Sequence, residues 1–320
     1  MRLPEPRGAV SAEIIEALLA GGAPVVTGPA DGPEPWLDED LQISLWMLYE
    51  LHYRGFDGVD PSLEWDVDLL RLRASLETRF LDGVRAAVSV PAAGVVPGLT
   101  ELTSADSGPS MSRYLQRSAT LDQFREFVVH RSIYHLKEAD PHSWGIPRLS
   151  GRAKAALVEI QSDEYGGGRP ERMHSALFRT TMDRLGLDTR YGAYIDVVSA
   201  PTLATSNLMS LFGLHRRWLG ALLGHLAAFE MTSSIPNRRY GNALRRLGGD
   251  AAATRFYDEH VTADAVHEQI AAHDLCGGYV DEHPGSAPDV LFGAAVGLFL
   301  DDQAAGWLLA RWEQGLPAVA

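Results

Sequence analysis

Apolar residues recur at helical spacing along most of this chain, and the alternating pattern of β-strands is almost absent. A stretch with this spacing buries its apolar face when it packs as a helix, so the chain is restricted to helix-on-helix architectures. We therefore predict an all-α fold. The predicted helices run from Leu37 to Tyr53, Ser62 to Ala87, Thr120 to Glu138, Gly151 to Tyr165, Pro170 to Leu185, Leu203 to Ser233, Asn237 to Leu247, Ala251 to His273 and Pro288 to Gln314.

Loop-forming residues separate the N-terminal region from the rest of the chain. Glycine and proline dominate residues 21–35, and Pro, Gly and Ser recur in residues 88–97 and 101–111. We expect residues 1–110 to form an N-terminal helical extension packed on a core domain of residues 111–320.

Charge and cysteine content exclude several classes of function. The formal net charge of −14 opposes general binding to nucleic acid or to an anionic membrane. Only two of the 28 basic residues are lysines, Lys137 and Lys154, and the sequence assigns them no function. Cys276 is alone, which excludes an intramolecular disulfide and a thiolate metal cluster. The first residues lack the apolar core of a signal peptide, and Val290 to Leu300 is too short to span a bilayer, so we expect a cytoplasmic protein.

Three potential metal ligands share one face of a predicted helix near the C-terminus. His260, Asp264 and His267 lie four and then three residues apart in an apolar, helix-favouring stretch. At about 100° per residue, the three positions fall within roughly 60° of arc. One helix supplies only part of a coordination shell, so this trio predicts half of a metal site.

Acids and a histidine on other predicted helices are candidates for the rest of the site. Glu230 ends an apolar run in which a lone carboxylate is costly to bury, and a cation is the simplest relief. Glu164 and His174 are ten residues apart, about 15 Å along a straight helix, which is too far to share one ion. The glycines at 166–168 break the helix, and Pro170 suits the first turn of the next one. We therefore expect His174 to fold back toward Glu164.

These residues resemble the ligand set of the haem-oxygenase-like diiron oxidases and oxygenases, which are iron-containing redox enzymes. The resemblance covers residues 120–273. It implies a haem-oxygenase-like bundle of about seven core helices, here with additional N-terminal helices, that holds a non-haem diiron centre and no haem. The metal ligands that it implies are Glu138, Glu164, His174, Glu230, His260, Asp264 and His267.

The resemblance also implies how the ligands divide between the two irons. Glu138 is the additional carboxylate that nitrogen-oxygenating members carry on the preceding helix, whereas members that desaturate or fragment their substrates generally lack it. The implied division places His174, His267 and Glu138 on one iron, Glu230, His260 and Asp264 on the other, and Glu164 as the bridge.

The residue types themselves favour oxygen chemistry. Imidazole and carboxylate without thiolate suit iron or manganese that handles O2, whereas structural zinc sites are usually richer in cysteine. We expect two iron ions, O2 as co-substrate and an external electron donor. The leading interpretation is an oxygenase that oxygenates the nitrogen of an amine or amino acid. The alternatives are an oxidative desaturase or C–C fragmenting lyase acting on an amino or fatty acid, and an iron-binding helical protein without turnover.

Several further residues complete the sequence predictions. Arg148, Arg238 and Tyr240 suit a pocket for a small substrate that carries a carboxylate. Asp163 is expected to face away from Glu164. Three other histidines, His215, His225 and His273, are interpreted as ordinary core histidines. A homodimer is expected only because it is the commonest assembly of soluble proteins.

Overall fold

The chain folds into packed α-helices in a computed structural model that describes residues 1–22, 34–104 and 110–319, except the side chains of residues 262–265. These residues contain no β-strand, which confirms the all-α prediction. None of their helices has the length and apolar character needed to cross a membrane. The helices are α1 (Ala9–Ala20), α2 (Glu39–Glu50), α3 (Val67–Ala87), α4 (Val95–Ser104), α5 (Met111–Arg117), α6 (Leu121–His135), α7 (Asp140–Ser143), α8 (Gly151–Glu164), α9 (His174–Arg184), α10 (Ala200–Leu214), α11 (Leu219–Arg246), α12 (Ala251–Gln269), α13 (Gly278–Glu282) and α14 (Ala287–Glu313).

The helix predicted from Leu203 to Ser233 is wrong, because two helices occupy that stretch. α10 ends at Leu214, and a 3₁₀ turn precedes α11. The guanidinium of Arg148 donates to the carbonyl oxygens of Gly213 and Leu214, which a helix end otherwise leaves without partners. The apolar pattern continues across the break because both helices are buried, so periodicity alone does not locate it.

α11 is the central helix and packs against α12 and α14. It continues through Pro236, although we predicted a helix end at Ser233. A proline inside a helix removes one backbone hydrogen bond, and packing on neighbouring helices offsets that loss.

Two glycines allow α11 and α14 to approach closely. A Cβ atom on Gly224 would overlap the carbonyl oxygen of Val290, and one on Gly293 would overlap the carbonyl oxygen of Ala221. The two backbones therefore lie at a separation that only glycine permits at these positions.

The N-terminal helices share an apolar core with the later ones. α2 packs against α3 and α10, while α4 packs against α11 and α14. Buried Trp46 of α2 belongs to the same apolar cluster as Leu222 of α11 and Val290 of α14. The division of the chain at residue 110 stays a prediction.

Candidate metal centre

Six of the seven predicted ligands lie on five separate segments and are all buried. Their positions are the turn after α6 for Glu138, the last residue of α8 for Glu164, the first residue of α9 for His174, the middle of α11 for Glu230, and α12 for His260 and His267. The side chain of Asp264 lies outside the described residues. The structure thus brings together donors that are up to 129 residues apart in the chain.

Glu138, His174 and His260 form the first cluster, with one potential ligand atom from each within 4.8 Å of the other two. Nε2 of His260 is 3.7 Å from Oε1 of Glu138. The imidazole rings of His174 and His260 lie 4.3 Å apart between centroids. Nδ1 of His260 donates to the carbonyl oxygen of Phe256 at 2.8 Å, which leaves the Nε2 lone pair directed at the cluster.

Glu164, Glu230 and His267 form the second cluster within the same limit of 4.8 Å. Nδ1 of His267 is 3.3 Å from Oε2 of Glu230. The clusters meet at Glu164, whose Oε2 is 2.9 Å from Nδ1 of His174 in the first cluster. This position between the clusters is the one that a bridging carboxylate requires, and the bridging role itself stays a prediction.

The glycine break between Glu164 and His174 has the predicted form. Residues 166–168 have φ values of +67°, +61° and +77°, a region that favours glycine. Pro170 opens a short 3₁₀ turn rather than the next α-helix, so α9 begins at His174 and not at Pro170 as predicted. The break still folds His174 back onto Glu164.

The two histidines of α12 join the opposite clusters from those we expected. His260 lies with His174 and Glu138, whereas His267 lies with Glu230. The physical reason is the antiparallel packing of α11 and α12. Glu230 lies 18 residues before Gly248, and His267 lies 18 residues after Gly249, so a turn at this glycine pair places them at the same level. The structure thus groups the two histidines differently from the expected division, and the division of ligands between two metals stays a prediction.

Asp163 contacts the second cluster, although we expected it to face away from Glu164. Its Oδ2 lies 3.0 Å from Nε2 of His267, on the opposite edge of the ring from Glu230. A carboxylate on the outer nitrogen fixes the orientation of a ligating imidazole and increases its basicity. In the first cluster the roles are reversed, and a histidine orients a carboxylate: Nδ1 of His135 hydrogen-bonds Oε1 of Glu138 at 2.8 Å. The spacing of His135 and Glu138, three residues, is a signal that the sequence offers.

The histidines and carboxylates of the two clusters shift one another's pKa values. Burial lowers the pKa of His267, but Glu230 and Asp163 raise it more strongly, to about 9. Burial also lowers the pKa of His174, and the adjacent Glu164 again more than offsets this effect, so the pKa of His174 is raised. The pKa of Glu138 lies well below its usual range, because His135 and His260 outweigh the effect of burial. The neighbouring carboxylates therefore let His174 and His267 keep their protons to higher pH than a free histidine does.

The donors fit a pair of metal ions. Oε2 of Glu138 is buried and has no hydrogen-bond partner among the described residues, which is costly for a polar atom. The other ligand atoms face one another in both clusters, as in the pairs His174 Nδ1–Glu164 Oε2 and His267 Nδ1–Glu230 Oε2. Cations placed between these donors would be bound by their lone pairs, and the mixed imidazole and carboxylate donors suit iron.

A cavity of about 1020 Å³ opens onto the clusters, with Glu138, Glu164, Glu230 and His260 in its wall. Tyr240 lines it as predicted. Arg148 and Arg238 are not among its lining residues: the first caps α10, and the second is exposed to solvent. Arg113, Arg131 and Arg239, which we did not single out for the pocket, line it instead. No local sequence pattern distinguishes these three from the other 23 arginines of the chain.

Two of the three histidines interpreted as core residues have described polar contacts. Buried His225 lies 3.3 Å from His142 through ring nitrogens, and the Nε2 of half-buried His215 is 3.0 Å from Glu77. His273 is exposed, which corrects its assignment to the core.

Comparison with known proteins identifies the family of the chain. Residues 125–302, which contain all seven predicted ligands, match the family described as iron-containing redox enzyme. A stretch of 170 residues is 26% identical to nitrosourea synthase from Streptomyces achromogenes subsp. streptozoticus. That alignment covers 53% of this chain and 36% of the relative, so the chain spans little more than a third of that protein. Because the family match covers more than half of the chain, this protein belongs to the iron-containing redox enzyme family.

Proposed function

We propose that this protein is a non-haem diiron oxygenase that uses O2 and electrons from an external donor to oxygenate the nitrogen of a small amine or amino acid. The observation that carries the proposal is the pair of buried histidine and carboxylate clusters that meet at Glu164 and face one cavity. Two irons this close would supply the electron transfers that activate O2. Glu138, His174 and His260 would hold one iron, and Glu164, Glu230 and His267 the other.

Tyr134 supplies a hydroxyl group at the point where the cavity meets the clusters. Burial raises its pKa well above the usual range, and the carboxylates of Glu138, Glu164 and Glu230 raise it further. The phenol therefore keeps its proton throughout the physiological range and can donate a hydrogen bond to a bound substrate. Phe229 and Leu226 line the cavity near it and limit the access of water.

The charged wall favours a polar substrate. Arg131 pairs with Asp301 at 2.8 Å, so its charge is already balanced. Arg239 hydrogen-bonds only the Ser112 hydroxyl at 3.2 Å among the described residues, and it makes no ion pair with any of their carboxylates. A guanidinium in this position suits the carboxylate of an amino acid, because it offers two parallel donors.

Oxygenation at nitrogen is favoured over the alternatives by two observations. Glu138, the carboxylate associated with nitrogen-oxygenating members, lies within the first cluster, and the relative in the comparison is named a nitrosourea synthase. A desaturase for fatty acids would need a long apolar tunnel, whereas this cavity carries Arg131, Arg239 and Asp302. An iron-storage protein needs access for ions but no cavity of this size.

Anaerobic loading with Fe(II) tests the proposal. We expect two irons per chain by elemental analysis, followed by O2 consumption that depends on a reductant and is stimulated by an amine substrate. Glu138→Ala should lower the iron content toward one per chain and abolish oxygenation. The matched control is Glu159→Gln on exposed α8 surface, which should change neither.

The outcomes separate the alternatives. If the wild-type chain binds less than one iron, the diiron proposal is wrong. If Glu138→Ala retains both irons and full activity, the argument from the additional carboxylate fails and the desaturase or lyase interpretation gains. Two tightly bound irons without any O2 consumption would indicate a binding protein.

A further inference from the structure

The lysine adjacent to Glu138 is buried and held by the N-terminal region. Nζ of Lys137 lies 3.2 Å from Oε2 of Glu50 in α2, and the two side chains are only 1% and 0% exposed. The same ammonium lies 4.4 Å from the centroid of the Tyr53 ring. Arginine accounts for 26 of the 28 basic residues of this chain, so a lysine at this position is an exception. A compact ammonium on a slender stem fits an enclosed site that a planar guanidinium does not.

Glu50 is itself fixed from a second direction. The hydroxyl of Tyr191 donates to Oε2 of Glu50 at 2.7 Å, and the guanidinium of Arg54 lies 4.2 Å from the centroid of the Tyr191 ring. Lys137, Glu50 and Tyr191 therefore form a buried polar network between α2 and the turn after α6. Such a network is rigid when its members are paired, because any displacement leaves a buried charge without a partner.

The residues that flank Lys137 and Glu138 in the chain are also held in place. Arg54 donates to the carbonyl oxygen of Leu136 at 3.3 Å and lies 3.9 Å from Oδ2 of Asp140. Consecutive side chains on a helical turn point in different directions. Lys137 therefore points into the N-terminal helices while Glu138 points into the metal cluster, and fixing one sets the orientation of the other.

We propose that Lys137 and Glu50 are positioning residues through which the N-terminal region orients Glu138 for metal binding. This inference rests on the proposed function, because it takes Glu138 as a ligand. It assigns residues of α2 a role in the metal centre, although none of them lies in either cluster. Loss of an outer partner of a metal ligand typically weakens metal binding about 10- to 100-fold.

Co(II), which is stable in air, is the probe for the test, and visible absorption reports its coordination. Wild type is expected to bind two Co(II) ions per chain. Glu50→Gln should weaken one of the two sites about 10- to 100-fold and change its absorption, leaving the other within about twofold. The matched control is Glu77→Gln, which removes another buried carboxylate of the N-terminal helices, paired with Arg73 at 3.2 Å, and should leave both sites unchanged.

A double variant separates positioning from folding. Glu50→Gln leaves a buried ammonium without its carboxylate, so it can destabilise the whole chain. Glu50→Leu with Lys137→Met removes both charges, and we expect its thermal unfolding midpoint near that of wild type while one Co(II) site stays weakened. Adding Glu138→Ala to this double variant should weaken that site only to the affinity of Glu138→Ala alone, less than the sum of the two losses, because all three changes act on the same ligand.

Each outcome decides one question. Two Co(II) sites of wild-type affinity in the folded double variant would overturn the positioning role, as would a fully additive loss with Glu138→Ala. Equal weakening of both sites would also overturn it, because a general structural defect has no preference for one cluster. Failure of the wild-type chain to bind two ions would instead count against the proposed function.

Discussion

Metal binding by this centre should release protons at neutral pH, because a histidine ligand is protonated in the metal-free protein. Contacts with Glu230 and Asp163 raise the pKa of His267 to about 9, against the lowering effect of burial. At pH 7 a group with this pKa is about 99% protonated. A cation can use the lone pair of Nδ1 only after that proton has left. The apparent affinity of the His267 site at pH 7 is therefore about 100-fold below its limit at high pH.

The pH range of the effect follows from the direction of the shift. Below about pH 6.5, the ordinary pKa of histidine, His267 is protonated in folded and unfolded chains alike, and its contacts with the two carboxylates stabilise the fold in full. That contribution is lost as the pH rises through about 9. We therefore expect the metal-free protein to become less stable over this range, while the affinity for metal rises about tenfold per pH unit.

Calorimetric titration with Co(II) in buffers of different ionisation enthalpy counts the released protons. At least one proton per chain should leave at pH 7, and His174, whose pKa is also raised, adds to the release. Asp163→Asn keeps every proposed ligand but removes one carboxylate from His267, so it should shift the release curve to lower pH. Binding without proton release at pH 7, or an affinity that does not change between about pH 6.5 and 8.5, would refute this reasoning.

Three further predictions concern substrate, packing and the glycine break. Arg239→Gln should raise KM for an amino-acid substrate about tenfold or more with little change for the matching amine, whereas exposed Arg238→Gln should change neither in steady-state assays. Gly224→Ala should lower the free energy of unfolding by about 2 kcal/mol in urea titrations, since its Cβ overlaps α14, while Gly306→Ala in open space on the same helix pair should raise it by about 0.5 kcal/mol. Gly166→Ala, whose Cβ would lie 2.6 Å from the Met173 nitrogen, should displace the start of α9 and weaken Co(II) binding, and unchanged binding would contradict the role of the break.

Local chemistry made several parts of the site predictable from the sequence. Three consecutive glycines in the left-handed region end α8 where the pattern indicated, and this break explains how Glu164 and His174 meet. The helical spacing of His260 and His267 placed both on one helix. Their partners follow from the α11–α12 hairpin, because Glu230 and His267 lie at equal distances from the glycine pair at 248–249. That symmetry is present in the sequence, and it predicts the grouping of side chains that the structure shows.

Other parts depend on contacts that no local pattern contains. The break between α10 and α11 is stabilised by Arg148, which lies 65 residues before Gly213 in the chain. Asp163 contacts His267 because Nδ1 of that ring faces Glu230 while Nε2 faces Asp163. The spacing of these residues in the sequence predicts neither the orientation of the ring nor the rotation of the helix. Lys137 is one of two lysines in the sequence, but its role becomes visible only when α2 places Glu50 beside it. Tertiary packing decides each of these features.

Anomalous diffraction at the iron edge from crystals loaded anaerobically with Fe(II) would locate the metals of the proposed diiron centre. Two iron peaks should lie among the six buried side chains, with ligand distances of about 2.0–2.2 Å, and Glu164 between them. A single peak, or peaks remote from Glu138, His174, His260, Glu164, Glu230 and His267, would contradict that proposal.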